Sequence, residues 1–171
     1  PEIIQKSCAS PFAETATNND ANLYTLWKQF STLQTQISKI IGRSSSILGE
    51  VSERIVATFH DGKLLAASSA SADVILPDGK RIQVKSRTPR QTLTTSLGIV
   101  RSWDFDILAV LLFDEFGDII FGGEIDVDST RKHAVANRHQ NGWVITTTNN
   151  FLNDPRMKNL TRQYNETLMN L

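Results

Sequence analysis

Three things are scarce in this chain. It has a single cysteine, Cys8, in 171 residues. That excludes a disulfide within the chain and leaves no cysteine cluster for zinc, so a reducing, cytoplasmic setting is the expectation. Long apolar runs are missing too. None approaches the roughly 20 residues of a membrane span, and no charged-then-apolar leader opens the sequence. No membrane partner is expected. Finally, neither sign of charge is in excess, with 18 Lys and Arg against 18 Asp and Glu. Overall basicity therefore does not advertise a nucleic-acid partner, and any positive surface has to be local. Two matches to the glycosylation sequon, Asn159-Leu160-Thr161 and Asn165-Glu166-Thr167, come without a secretory leader and read as chance.

What is present is ordinary in bulk: 40% hydrophobic and 21% charged residues. A chain of this length can bury one real core, and two complete domains would be cramped. The expectation is one domain over 1–171. The informative stretch is Ala72 to Arg87, ADVILPDGKRIQVKSR. Asp73 to Leu76 runs into Pro77-Asp78-Gly79, and Arg81 to Arg87 runs back out. Pro77 presets φ and Gly79 can take a positive one, so a strand–turn–strand hairpin is predicted. On the outgoing strand Ile82 and Val84 point one way. Arg81, Gln83, Lys85 and Arg87 point the other.

That polar face suits metal-dependent cleavage of a phosphodiester. A carboxylate (Asp73) and an amide oxygen (Gln83) are hard ligands for Mg²⁺. Lys85, two residues from the amide and on the same face, could orient or help deprotonate an attacking water and offset phosphate charge. An ordinary hairpin with a solvated polar face is the alternative.

Asp73, then nine residues, then Gln83-x-Lys85 resembles the PD-(D/E)xK nuclease superfamily. Asp73 matches its first acidic position, Gln83 its second and Lys85 its lysine. Ala72 stands where the pattern has Pro, and Gln83 stands for Asp or Glu, as in the Mrr-type branch. The resemblance implies an α/β restriction-endonuclease-like fold, a mixed central sheet flanked by helices. It also implies a glutamate on the preceding helix that reaches the metal, and Gly49-Glu50 is the match. Glu50 flanks the apolar arc Ile47, Leu48, Val51, Ile55, Phe59 on a helix expected from the Ser44–Ser46 cap to about Phe59. Gly49 is expected to admit a close backbone. A surface Glu50–Arg54 ion pair is the other reading, and Glu53 is a weaker substitute.

The rest of the chain is read around that hairpin. Residues 1–19 form an irregular arm. Asp20 caps a helix to Ile41 whose stripe of Leu23, Leu26, Trp27, Phe30, Leu33, Ile37, Ile40 and Ile41 is core or dimer packing. The catalytic core spans 42–123. In it, Lys63–Ala67 is a first strand and Ser86–Ser102 a loop over the site, held by Trp103. Arg87, Arg90 and Arg101 of that loop are candidate phosphate donors. Asp106–Phe113 is a central strand and Ile119–Glu124 another. Residues 124–171 supply a short helix from Asp128 or Ser129 to about His139, a strand at Gly142–Thr146 and a closing helix from Asn153-Asp154-Pro155. His133 and His139 read as surface residues.

The function expected is a DNA endonuclease dependent on Mg²⁺ (Mn²⁺ can substitute), restriction-like in the first place and repair- or recombination-like in the second. Asp73, Gln83, Glu50 and the Val84 carbonyl are the expected metal ligands, with Lys85 at the water. Both strands of a duplex need two sites, so a homodimer is plausible. A nuclease-like fold that binds nucleic acid or protein without cleaving is the alternative, for which Gln83 is the main argument. A structural α/β domain is the third possibility.

Overall fold

The computed structural model describes residues 23–42, 46–66, 71–90 and 92–171. Contacts divide the chain into two compact units, one ending at Ile40 and one running Ile41–Leu171. In the first, helix α1 covers Leu23–Ile41, with Phe30, Leu33 and Ile40 exposed and Ile37 half-buried. The arm at 1–19, the Asp20 cap and the side chains of Leu23, Leu26, Trp27 and Ile41 lie outside the described residues.

The second unit is built on strand β5, Ile107–Phe113. Its side chains alternate between two cores, as a strand covered on both faces must. Ala109, Leu111 and Phe113 pack with Ile55, Val56 and Tyr164; Leu108, Val110 and Leu112 pack with Leu97, Phe105 and Ile145. The six strands run in the order β1 (Lys63–Leu64), β2 (Val74–Ile75), β3 (Arg81–Arg87), β5, β6 (Ile119–Asp126) and β9 (Lys158–Asn159). Only β3 and β5 are parallel; every other neighbouring pair is antiparallel. Helices α2 (Ile47–Phe59) and α5 (Thr161–Leu168) cover the first face. A second sheet, β4 (Ser96–Val100), β8 (Gly142–Thr146) and β7 (Ala134–Asn137), supplies much of the other core. This is a mixed α/β molecule with a restriction-endonuclease-like sheet, as expected.

Several expected elements differ. The stretch 86–102 is not all loop, because β4 lies within it, paired with β8. Its register shifts between Ser96 and Ile99, and Gly98 sits at φ +84°, so no alternation was visible in the residues. The helix expected to reach His139 is only α3, Val127–Lys132, capped by Asp126 through the Ser129 N–H at 2.8 Å. His133 ends it by bonding Asp154 at 2.9 Å and packing edge-on to Phe151, so it is a half-buried clamp rather than a surface residue. The closing helix begins at Thr161, not Asn153. Between them α4 (Asn149–Leu152) and a turn at Asp154 precede β9. The first strand is two residues long rather than five. Ser46 occupies the cap position of α2 but makes no side-chain cap bond, and Ser44 and Ser45 lie outside the described residues.

Candidate active site

The hairpin forms as its turn chemistry dictates. Gly79 takes φ +87°, its N–H bonds Leu76 O at 2.9 Å, and Val74 pairs with Ile82. Ile82 and Val84 are buried, and Arg81, Gln83 and Lys85 are intermediate on the opposite face. Parallel pairing with buried β5 fixes β3 in place, so its polar face is held against a strand buried almost throughout. A brace at its start adds to this. Asp106 accepts the Arg81 backbone N–H at 2.7 Å, and the Arg81 side chain reaches Asp104 at 2.5 Å. Asp106 thus holds the strand and does not pair with the loop arginines.

Asp73, just before β2, turns its carboxylate onto β3. It accepts the Val84 N–H at 2.7 Å and a bond from the Gln83 amide nitrogen. That same nitrogen lies 3.4 Å from the Val84 carbonyl oxygen. One atom therefore meets both Asp73 Oδ2 and Val84 O, which makes it a point where two hard oxygens converge. Burial pushes the Asp73 carboxyl above the usual aspartate range. The Val84 N–H, Lys85 and Gln83 pull it back, and the nearby Glu50 adds to the push. Glu50 is 3% exposed on α2, so it sits against the sheet rather than in solvent. Gly49 does not admit a close backbone as expected; a Cβ there would meet only the Ser46 Cβ, at 3.9 Å.

Lys85 sits beside Asp73. Burial pushes its ammonium below the usual lysine range; Asp73 and Glu53 oppose this, and Arg87 and Arg101 reinforce it. The structure thus brings Glu50, Asp73, Gln83, the Val84 carbonyl and Lys85 together, with Glu53 as a neighbour of the lysine. Of the three loop arginines, Arg87 is committed in part, since its Nε bonds Ser96 O and its Nη1 bonds Ser86 O, both at 3.1 Å. Arg90 and Arg101 are exposed. Arg90 shares a hydroxyl-rich cavity of about 520 Å³ with Thr88, Thr92, Thr94 and Thr95.

Among the described residues no three His, Cys, Asp or Glu side chains converge as a metal cluster. The donors that do converge are a carboxylate, an amide and a backbone carbonyl, with Glu50 close by. The carboxylates and the carbonyl are oxygen donors, the chemistry a Mg²⁺ ion takes, while the amide presents its nitrogen to Asp73 and the Val84 carbonyl. Turning the Gln83 amide over would exchange its nitrogen for Oε1 at that point, so the set fits a hard cation.

Sequence reasoning missed a second buried polar group behind the site. Glu124 on β6 is bonded by His60 Nε2 and by the Tyr164 hydroxyl, each at 2.5 Å. Burial alone would raise its carboxyl, but these two bonds and Lys158 outweigh that and hold it below the usual range. The signal was faint: one histidine at the end of α2 and one glutamate in an apolar strand, 64 residues apart.

No curated protein matches the chain. The family model described as Bsp6I restriction endonuclease matches residues 12–142, which include the whole hairpin and Glu50. The chain belongs to the Bsp6I restriction endonuclease family, a DNA endonuclease family of the PD-(D/E)xK type.

Proposed function

We propose that this chain cleaves DNA with a bound Mg²⁺ ion at the Asp73–Gln83–Lys85 face, in the manner of a restriction enzyme. The convergence of Asp73 Oδ2 and the Val84 carbonyl on one point, with Lys85 alongside, carries this reading. Asp73, the Val84 carbonyl, Gln83 through its amide oxygen and Glu50 would hold the ion. When bound, it supplies positive charge against the charge that develops on the phosphate. Lys85, its proton loosened by burial, orients the attacking water and takes up or returns a proton at Nζ. Arg90 and Arg101, with the remaining donors of Arg87, hold phosphates on either side. Cutting both strands calls for two such sites, hence a homodimer.

The Asp73–Gln83 amide bond favours one other reading, a nuclease-like fold that binds DNA without cutting. Asp73→Asn separates the two. The wild type should nick duplex DNA with Mg²⁺ or Mn²⁺ and stop on chelation, and the variant should lose at least about 10³-fold. Retention of DNA binding by the wild type with no cleavage of duplex, branched or single-stranded substrates would leave the binding reading standing.

A further inference from the structure

Helix α1 holds its apolar side chains in an unusual state. Phe30, Leu33 and Ile40 are 54%, 57% and 78% exposed, Ile37 is half-buried, and none of the described side chains of the helix is buried. Six of its 19 residues are Thr or Ile. β-Branched residues make weak helices, so a helix of this composition draws its stability from packing its apolar face. Single exposed apolar side chains need no explanation, but these lie in a row.

The row has a period. Leu23, Leu26, Phe30, Leu33, Ile37 and Ile40 follow one another at steps of three, four, three, four and three. That alternation is the repeat that keeps one seam turned toward a helix lying alongside. Trp27 and Ile41 widen it near its two ends. Charge then decides the partner. Leu23–Ile41 contains no acidic residue, and at 100° per residue its two basic positions, Lys28 and Lys39, fall on the side opposite the stripe. Gln29, Gln34 and Gln36, which flank the stripe, are exposed and uncharged. A seam without charge has nothing to repel an identical seam and nothing to select a charged one. At 19 residues the helix is about 28 Å long, room for five turns of contact on each copy.

We infer that α1 is the dimer interface, its Leu23-to-Ile40 stripe lying along the same stripe of a second copy of this chain. The two lysine positions then stay on the outer sides of the pair. The flanking glutamines, each with donors and an acceptor, can bond across the seam whichever way the helices run. The pairing joins two catalytic units, one for each strand of a duplex. It gives the homodimer of the DNA-cleaving reading its surface, resting on that reading for its purpose but not for its chemistry.

Sedimentation across the micromolar range tests it, and the wild type should show a monomer–dimer equilibrium. Leu33→Glu combined with Ile40→Glu sets unpaired carboxylates into the seam and should weaken association by at least about 100-fold. Both positions are exposed in the single chain, so the variant should melt like the dilute wild type. The wild-type midpoint should rise with protein concentration and the variant's should not. Cross-linking reads the contact directly and needs no charged variant. In a Cys8→Ser background a short bis-maleimide should join two copies through Leu33→Cys, and not through Thr35→Cys on the opposite side of the helix. On duplex DNA the wild type should break both strands together, and the Glu variant should leave single-strand nicks. A monomeric wild type, a dimer that survives the double substitution, or joining through position 35 and not 33 would overturn the assignment. Failure of the wild type to cleave would count against the proposed catalysis and leave the association result as it stands.

Discussion

At the scale of single residues the informative position is Gln83. It stands where the PD-(D/E)xK pattern has a carboxylate, and its amide nitrogen rests on Asp73, so this face carries one negative charge fewer than that pattern would give it. A glutamate there would face an ionised Asp73 and a nearby Glu50. At an effective dielectric near 20, two unit charges about 4 Å apart interact by about 4 kcal/mol. Gln83→Glu should therefore lower the thermal midpoint in chelator and recover it with Mg²⁺. Calorimetry should find Mg²⁺ bound at least about tenfold more tightly, which needs only about 1.4 kcal/mol of that interaction. Equal affinity in the two proteins would remove Gln83 from the ligand set. Asp73 adds a pH signature. Its folded pKa is raised, so its protonated form is the stabilising one; that contribution is complete below the unfolded pKa and is lost as pH rises through the folded value. Asp73→Asn should thus melt no lower than wild type at neutral pH, with the difference shrinking toward acid.

At the scale of elements, α2 deserves its own test, because it brings Glu50 to the sheet. Its C-terminal end is fastened by His60 to Glu124 on β6, and Tyr164 of α5 closes the same group from a fully buried position. Burial, then the Glu124 charge and hydrogen bond, push the Tyr164 hydroxyl far above the tyrosine range. Tyr164→Phe keeps the ring that packs edge-on to Phe59 and removes only the bond. It should cost about 1–3 kcal/mol. Because Glu124 is held low in the folded state, its stabilisation is present above the unfolded glutamate pKa and is lost as pH falls through the folded one. With one bond gone that loss should begin at higher pH, which urea titrations between about pH 3 and 6 would register. A midpoint and acid limb identical to wild type would show that the group does not clamp α2.

What the sequence disclosed divides along the same line. The hairpin, β5 and α2 were legible because period, turn residues and apolar density all agreed. Asp73, Gln83, Lys85 and Glu50 were findable because their spacing is local or lies on one helix. Of the second sheet only β8 was legible, as the strand expected at Gly142–Thr146. In β4 a bulge and Gly98 break the alternation, and β7 is a four-residue Ala-Val-Ala-Asn strand fixed only by its pairing with β8. The Glu124 group was invisible for the same reason, since its three partners meet only through tertiary packing.

At the scale of the whole molecule the question is how a chain of zero net charge holds a polyanion. Much of its positive charge is already used. Lys80 pairs with Asp78, Arg81 with Asp104 and Arg162 with Glu166, while Arg131 lies 5.4 Å over the Trp103 ring. Arg87 bonds two carbonyls and braces β3 to β4. Removing it would loosen the sheet as well as any phosphate, so it is a poor probe. Arg90 and Arg101 are exposed, one in the hydroxyl-rich loop cavity and the other near Lys85. Each phosphate contact to duplex DNA adds close to one unit to the slope of log affinity against log salt. Replacing both by Ala should therefore flatten that slope by about two units and weaken binding to every sequence alike. The thermal midpoint should stay within about a degree or two of wild type, as expected for exposed side chains. An unchanged salt slope would mean that these arginines are merely solvated and that the backbone path runs across another face.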